Sequence, residues 1–475
     1  MTTSFLDLDP SARSALWQQV AGSIDHYAER LDDLPVAPPC TAADVRAHVR
    51  AIDFNEPVSP QEAVRHVVEG LTRHHLHTGH QRSFGLFNPS PSAMGIAADA
   101  LVAAFNPQLA AWSHAPWAIE VEESTLRAFA DRLGYDAQTC DGTFTSGGAE
   151  ANHSAVLVAL TRAFPSLARE GLRSLDGMPT MYVSQESHHS FVKAARASGL
   201  GTDCVRRVPV DAHLRMDVDA LTALIEDDRR AGRRPFMVVA TLGTTSAGAI
   251  DDIGAIAAVA ERERLWLHAD AAYGGAAALV PELKPFLGDL TRADSITLDA
   301  HKWLSVPMGA GMFFTRQRGM LARAFAITTE YVPVNEHPDT VDPYAHSMQW
   351  SRRFIGLKLF MTLAVAGWQG YADVLRHQVA MASLLRERLV EAGWRIACHS
   401  PLPVICFEDL DGADPHRVAQ IVNDGGEAWI SATRIGTAGT PVLRACVTSF
   451  RTTAGDLDTL IHALAKARSQ VWMTA

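Results

Sequence analysis

The chain carries a lysine in an unusual setting, directly after a short apolar run, in Ser295-Ile-Thr-Leu-Asp299-Ala-His301-Lys302-Trp303-Leu304. Most lysines are solvated surface charges. A lysine at the carboxyl edge of a buried strand loses solvation, which favours the free amine that imine chemistry needs. Gly309 and Gly311 follow and permit close packing against a bound group. A second motif, His268-Ala-Asp270-Ala-Ala-Tyr273-Gly-Gly275, closes the run Leu265-Trp-Leu267. Ligands of open α/β sheets sit outside the carboxyl ends of strands. Asp270 there either meets a protonated ring nitrogen or caps the next helix. A third motif, Thr143-Phe-Thr-Ser-Gly147-Gly148-Ala149-Glu-Ala-Asn152, leads into an apolar-periodic helix. Glycines at a helix N-terminus suit a phosphate, although the same text fits a tight loop–helix junction without a ligand. A fourth, Ser187-His188-His189-Ser190, follows Met181-Tyr-Val183. An imidazole in that place can stack on a flat ring, act as an acid or base, or simply pack.

The combination is more specific than its parts. A phosphate loop, a histidine, an aspartate and a lysine occur in that order, each after a separate strand-like run. Pyridoxal 5′-phosphate needs these parts: a phosphate cradle, a ring face, a partner for the pyridinium nitrogen and a lysine amine.

The elements that must position these residues are legible in outline. The first ~90 residues read as helices broken by proline-rich turns, such as Leu34 to Cys40 and Pro57 to Pro60. This segment is too short and irregular for a core of its own. From about Met94, apolar runs alternate with helical patterns. The runs are Met181 to Val183, Phe236 to Ala240, Leu265 to Leu267, Ser295 to Leu298 and Gly311 to Phe314. The helices are Glu150 to Ala163, Val218 to Ala231 and Ile253 to Glu263. That alternation predicts an α/β fold with a largely parallel sheet covered on both faces. A long helix is expected from Arg353 to about Ala392, interrupted at Gly367 and Gly370. Strands at Val404 to Glu408, Ala428 to Ser431 and Val442 to Ser449, with helices near Pro415 to Asp424 and from Asp456, make a smaller α/β unit.

Composition limits the function classes. The 475 residues include 42 Lys+Arg and 53 Asp+Glu, a net charge of −11, which argues against broad nucleic-acid binding. Hydrophobic residues at 47% and charged residues at 20% describe a globular chain. No run approaches ~18 apolar residues, so no membrane span is expected. The opening MTTSFLDLDPSARSALWQQV does not read as a secretory signal. The 6 cysteines are scattered, with no CxxC and no zinc spacing, and no metal is expected. A reducing, cytoplasmic compartment fits.

Thr-Ser-Gly-Gly-Ala-Glu-Ala-Asn, His-Ala-Asp-Ala-Ala-Tyr-Gly-Gly and above all Asp-Ala-His-Lys-Trp-Leu resemble the group II pyridoxal-phosphate-dependent decarboxylases. That family includes aromatic-L-amino-acid, glutamate, histidine and cysteine-sulfinate decarboxylases. The resemblance runs from about His80 to Arg451. It implies a fold type I enzyme, usually a homodimer with its active sites at the interface. The division it implies is an N-terminal helical segment, 1–90, wrapping a partner subunit. A large cofactor domain follows over 91–355, with a mostly parallel seven-stranded sheet flanked by helices, and then a small C-terminal domain over 356–475. By the same resemblance, Lys302 carries the cofactor and Asp270 meets its ring nitrogen. His188 stacks on the ring, in Ser184-Gln-Glu-Ser-His188-His-Ser190. Gly147, Gly148 and Ala149 hold the phosphate, Thr245 lies near the cofactor, and His301 precedes the lysine as the family has it.

Some features depart from the family pattern. Asp299-Ala300 stands where the family often has Asn-Pro, and His189 replaces a small residue. The resemblance implies a loop tyrosine that protonates the substrate carbon, and the segment Tyr331 to Arg352 is where it is expected. Counting back from Arg352-Arg353-Phe354 selects Tyr344, one position off, with His346 as the alternative and Tyr331 third. The text from His80 to Pro89 is expected to line the side-chain pocket with Phe84, Leu86 and Phe87, joined by Trp112 and Trp117 from Asn106 to Glu120; the same residues also suit simple packing. Apolar and aromatic walls favour an aromatic or apolar L-amino acid, released as the amine with CO2. The alternatives are an aldehyde synthase, or another fold type I lyase or aminotransferase.

Overall fold

A computed structural model describes residues 6–327 and 340–473. Three helices open the chain: α1 (Pro10–Arg30), α2 (Ala42–Arg50) and α3 (Pro60–Arg73). Their starts are set locally, because the side chains of Asp9, Thr41 and Ser59 accept from first-turn amides. None of the three has a buried residue, and Trp17, Val49, Val67 and Leu71 remain exposed.

Next come α4 (Ala93–Phe105), α5 (Pro116–Leu133), β1 (Asp141–Thr145), α6 (Gly148–Ala163) and a short α7 (Leu167–Glu170). The alternation then continues through β2 (Pro179–Ser184), α8 (Ser190–Ala197), β3 (Val205–Val208), α9 (Val218–Arg230), β4 (Arg234–Thr241) and α10 (Ile253–Glu263). It closes with β5 (Trp266–Asp270), β6 (Ser295–Asp299), β7 (Gly311–Thr315) and α11 (Met320–Phe325). The strands form one seven-stranded sheet in the order β1-β7-β6-β5-β4-β2-β3. Antiparallel pairing joins β7 to β1 and to β6, so six strands run one way and β7 runs against them.

Period-2 alternation distributes the strand residues between two cores. Val238, Ala240, Leu267 and Ala269 join α9 and α10 on one face, and Met237, Val239 and Trp266 join α6 and α8 on the other. In the large sheet the expected runs fall in strands, except that Leu265 lies just before β5. β1 and β3 carry no such run, because Asp141-Gly-Thr and the edge sequence Val205-Arg-Arg-Val208 are polar.

The long helix, α12 (Leu357–Glu391), starts later than expected. Glu122 on α5 explains this. Its buried carboxylate accepts from the N–H groups of Ile355 and Gly356, each at 2.9 Å, and pairs with Arg352 at 2.5 Å. Of the two expected interruptions only Gly367 breaks the helix, at φ 62°, a left-handed value natural to glycine; Gly370 stays helical. α12 crosses from one core to the next: Leu359 and Leu375 pack with the large sheet, and Leu385 and Leu389 with the smaller one.

That smaller sheet contains β8 (Trp394–Ile396), β9 (Val404–Asp409), β10 (Ser431–Ile435) and β11 (Thr440–Cys446), ordered β10-β11-β9-β8 and antiparallel throughout. α13 (Pro415–Asp424) and α14 (Ala454–Met473) complete it. The strand expected at Ala428 to Ser431 lies further on, because Trp429 bridges to Ser83 instead of joining β11. Among the described residues, no helix is long and apolar enough to cross a membrane.

Candidate active site

The last residues of β4, β5 and β6 are Thr241, Asp270 and Asp299. Together with the start of α6 they enclose a cavity of about 260 Å³. Parallel strands end on one edge, so residues distant in sequence converge there without any local pattern to announce it.

Gly147, Gly148, Ala149, His188, Thr245, Asp270, His301 and Lys302 all line this cavity, and so does Phe87. Lys302 Nζ lies 2.9 Å from Asp299 Oδ2. The acid at 299 therefore faces the lysine amine, and its buried Oδ1 has no hydrogen-bond partner. His301 Nδ1 accepts from the Ala310 N–H at 3.1 Å, and burial lowers its pKa against the opposing pull of Asp299. Asp270 is 4% exposed; its Oδ2 accepts from Asn152 Nδ2 at 2.9 Å and its Oδ1 from the Ala272 N–H at 3.2 Å. His188 Nδ1 accepts from the Ser190 N–H at 3.2 Å, so the neutral ring carries its proton on Nε2. Desolvation holds the His188 pKa below its ordinary value, with Asp270 opposing. His189 is exposed and accepts from Arg207 Nη2 at 3.2 Å, away from the cavity lining.

The start of α6 is built for close approach. Its N-cap, Gly147, offers no side-chain cap. A Cβ on Gly148 would stand 2.8 Å from Asp299 Oδ2, and one on Gly311 would stand 2.6 Å from the Gly147 Cα. A side chain at either place would fill the cradle, and a bare helix N-terminus favours an anion.

Asn152, Thr241, Gly243, Tyr273 and Asp299 also line the cavity without having been singled out as site residues. A signal existed for two of them. Asn152 stands four positions after Gly148, on the same helix face, and Thr241 ends its strand as Asp270 does. Tyr273 stacks on Trp303 at 5.4 Å and leans on Phe87 at 4.3 Å, and its hydroxyl is buried without a partner.

Several expected residues do not line the cavity. Phe84 is packed into the C-terminal core, because its N–H donates to Trp429 O at 2.7 Å and its carbonyl accepts from the Cys446 N–H at 2.6 Å. Leu86 is half-buried nearby. Trp112 packs beside α4 and α5, with its N–H on Asp342 Oδ1 at 2.7 Å and its indole on Glu120 at 2.9 Å. The Tyr344 N–H donates to Ala110 O at 3.0 Å and its ring meets Trp350 at 4.9 Å. His346 Nε2 is 3.9 Å from Asp141 Oδ2. Tyr331 lies outside the described residues.

A flat, phosphorylated pyridine aldehyde fits these residues. The glycine cradle leaves room for a phosphate beside a helix N-terminus, Asp270 offers a carboxylate for a ring nitrogen, and Lys302 offers an amine for an aldehyde. The buried, unpartnered Oδ1 of Asp299, a residue of the wall, leaves the hydrogen bonding of the site incomplete in the chain alone. These features define a pyridoxal-phosphate-dependent enzyme on an α/β scaffold.

Comparison with known proteins narrows the class. Residues 52–409 match the model of the pyridoxal-dependent decarboxylase conserved domain. The chain is 29% identical over 411 residues to an aromatic-L-amino-acid decarboxylase of Bacillus atrophaeus, covering 84% of this chain and 83% of that one. It is 30% identical over 458 residues to tryptophan decarboxylase 1 of Oryza sativa subsp. japonica, covering 90% and 88%. The crystal structure of Oryza sativa TDC with PLP and tryptamine superposes with a TM-score of 0.91 at 24% identity, over 98% of this chain and 99% of that one. The chain belongs to the pyridoxal-dependent decarboxylase family and is an amino-acid carboxy-lyase that uses pyridoxal 5′-phosphate.

Proposed function

We propose that the substrate is an aromatic or apolar L-amino acid, released as its amine and CO2. The observation that carries this reading is the cavity wall. Phe87 and Tyr273 supply its aromatic surface, and Lys302 is its sole Lys or Arg among the described residues. With Lys302 engaged by the cofactor, no cation remains on the wall to pair with an acidic side chain such as that of glutamate. The relatives named for aromatic substrates support the same reading.

When bound, the cofactor withdraws electrons from the substrate Cα so that CO2 can leave. Lys302 supplies the amine that attaches the cofactor, and Asp299 receives that amine as an ion pair whenever it is released. Asp270 holds a proton at the ring nitrogen by its charge, and His188 covers a ring face. Tyr344 returns a proton to Cα. Since neither Tyr344 nor His346 lines the cavity, the donor comes from a second subunit or swings in with its own segment.

A homodimer suits the surface. Phe105 is 81% exposed and Trp117 65%, and they border an apolar groove with Leu101 and Phe360. The unburied faces of α1 to α3 give the first ~90 residues something to cover on a partner. The division into segments 1–90, 91–355 and 356–475 belongs to this proposal, with α12 as the shared strut. Six free thiols suit a cytoplasmic setting.

Incubating the loaded enzyme with the twenty common amino acids and dihydroxyphenylalanine, while measuring CO2, amine, aldehyde and peroxide, tests the substrate class. Fastest turnover of glutamate or another acidic substrate would overturn it. Sedimentation of a fully active monomer would overturn the dimer. Tyr344→Phe is expected to slow amine formation and raise the share of aldehyde, ammonia and peroxide, because delayed protonation gives oxygen time to react. An unchanged ratio in that variant, together with a shift in His346→Ala, would make His346 the donor.

A further inference from the structure

Behind Asp270 lies a series of buried polar groups with no part in the reaction as described. β5 alternates, so Leu267 and Ala269 face one core while Trp266, His268 and Asp270 turn toward α6. His268 is 0% exposed, and burial holds its pKa at about 4, so its ring is neutral. Its Nε2 is 3.1 Å from Asn152 Oδ1, and its Nδ1 is 2.8 Å from Ser295 Oγ.

Counting hydrogens gives these bonds a direction. Asp270 accepts at both oxygens, from the Ala272 N–H and from Asn152, so the Asn152 atom facing it is Nδ2. Its two hydrogens go to Asp270 Oδ2 and Ser190 Oγ, both at 2.9 Å. Asn152 Oδ1 therefore accepts, and the one proton of neutral His268 sits on Nε2. His268 Nδ1 then accepts from the Ser295 hydroxyl, whose oxygen accepts from Trp266 Nε1 at 2.8 Å. Thr297 Oγ1, 3.3 Å from His268 Nε2, makes a longer second contact. Every donor from Trp266 onward points toward Asp270, and buried hydrogen bonds polarise one another.

We propose that Asn152 and His268 are positioning residues that keep the Asp270 carboxylate charged and aimed at the cofactor ring nitrogen. The inference rests on reading the cavity as the cofactor site. A buried carboxylate drifts toward protonation, and donors aimed at it oppose that drift. His268 sends its proton into the amide that grips Asp270, and so acts on the ring nitrogen two side chains away.

Two experiments test this. Histidine-selective 15N NMR of the cofactor-free protein is expected to show His268 as the neutral Nε2–H tautomer, untitrated between about pH 5 and 8. The Nδ1–H tautomer or a protonated ring would overturn the assignment. In the loaded enzyme, His268→Phe keeps the ring contacts with Phe191 and Phe313 but removes the donor. The resonance of a 15N-labelled cofactor ring nitrogen should move toward the unprotonated value, and kcat should fall roughly three- to tenfold, the weight of one buried hydrogen bond between neutral groups. His268→Gln places an amide N–H near the Nε2 position and should restore both. Equal losses in the two variants, or an unmoved ring-nitrogen resonance, would reduce His268 to a space-filling role. Borohydride labelling of Lys302 in the same samples checks the cofactor reading separately.

Discussion

Lys302→Ala will leave a protein that borohydride cannot couple to its cofactor, and turnover will fall by at least about a thousandfold, or ~4 kcal/mol of barrier. Lys302 is the sole Lys or Arg on the cavity wall among the described residues, so no neighbouring amine stands ready to replace it. Its side chain is 24% exposed and its Nζ is held 2.9 Å from Asp299. That carboxylate fixes the amine at the mouth of α6, beside the cradle that takes the phosphate. Removing the amine strands Asp299, whose Oδ1 already has no partner. The check is peptide mapping after borohydride reduction: the wild-type tag falls on Lys302, and the variant has none. A tag on a different lysine of the wild type would overturn the site assignment.

Asp270→Asn will still load cofactor and accept the borohydride tag at Lys302, yet lose several powers of ten in kcat, each worth ~1.4 kcal/mol. The substitution keeps shape and burial and removes charge. An amide at 270 cannot hold a proton on the ring nitrogen by electrostatics, and without that proton the ring is a poorer electron acceptor. It also disturbs the contact with Asn152, which offers Nδ2 to a carboxylate and must turn to meet an amide. Retained loading with lost turnover separates this role from a structural one. Turnover near that of the wild type would mean that Asp270 does no more than receive the Ala272 N–H.

How far the sequence discloses this protein depends on the range of the interactions involved. Lys302, Asp270, His188 and the Gly147–Gly148 loop were legible because each terminates or follows a local pattern, a strand ending or a helix beginning. Phe84 and Phe87 look equivalent in sequence, three positions apart in an irregular segment. One enters the C-terminal core and the other the cavity wall. No period governs that segment; its direction is set by pairing with Trp429 and Cys446, more than three hundred residues away in the chain. The late start of α12 is similar, since Glu122 claims the N–H groups of Ile355 and Gly356 from a different helix.

The sequence by itself determined most of the elements and the chemical kinds: apolar runs, helical patterns, and a lysine, an aspartate, a histidine and a glycine loop at the ends of separate elements. Those are properties of neighbours along the chain, and local sterics and hydrogen bonding decide them. Tertiary structure alone decided the strand order β1-β7-β6-β5-β4-β2-β3 and the burial of His268 behind Asp270. It also decided the pairing of Lys302 with Asp299 and the seating of Tyr344 against Trp350. Those outcomes come from non-local packing, in which a side chain's direction follows from whichever distant surface buries the most apolar area and satisfies the most polar groups.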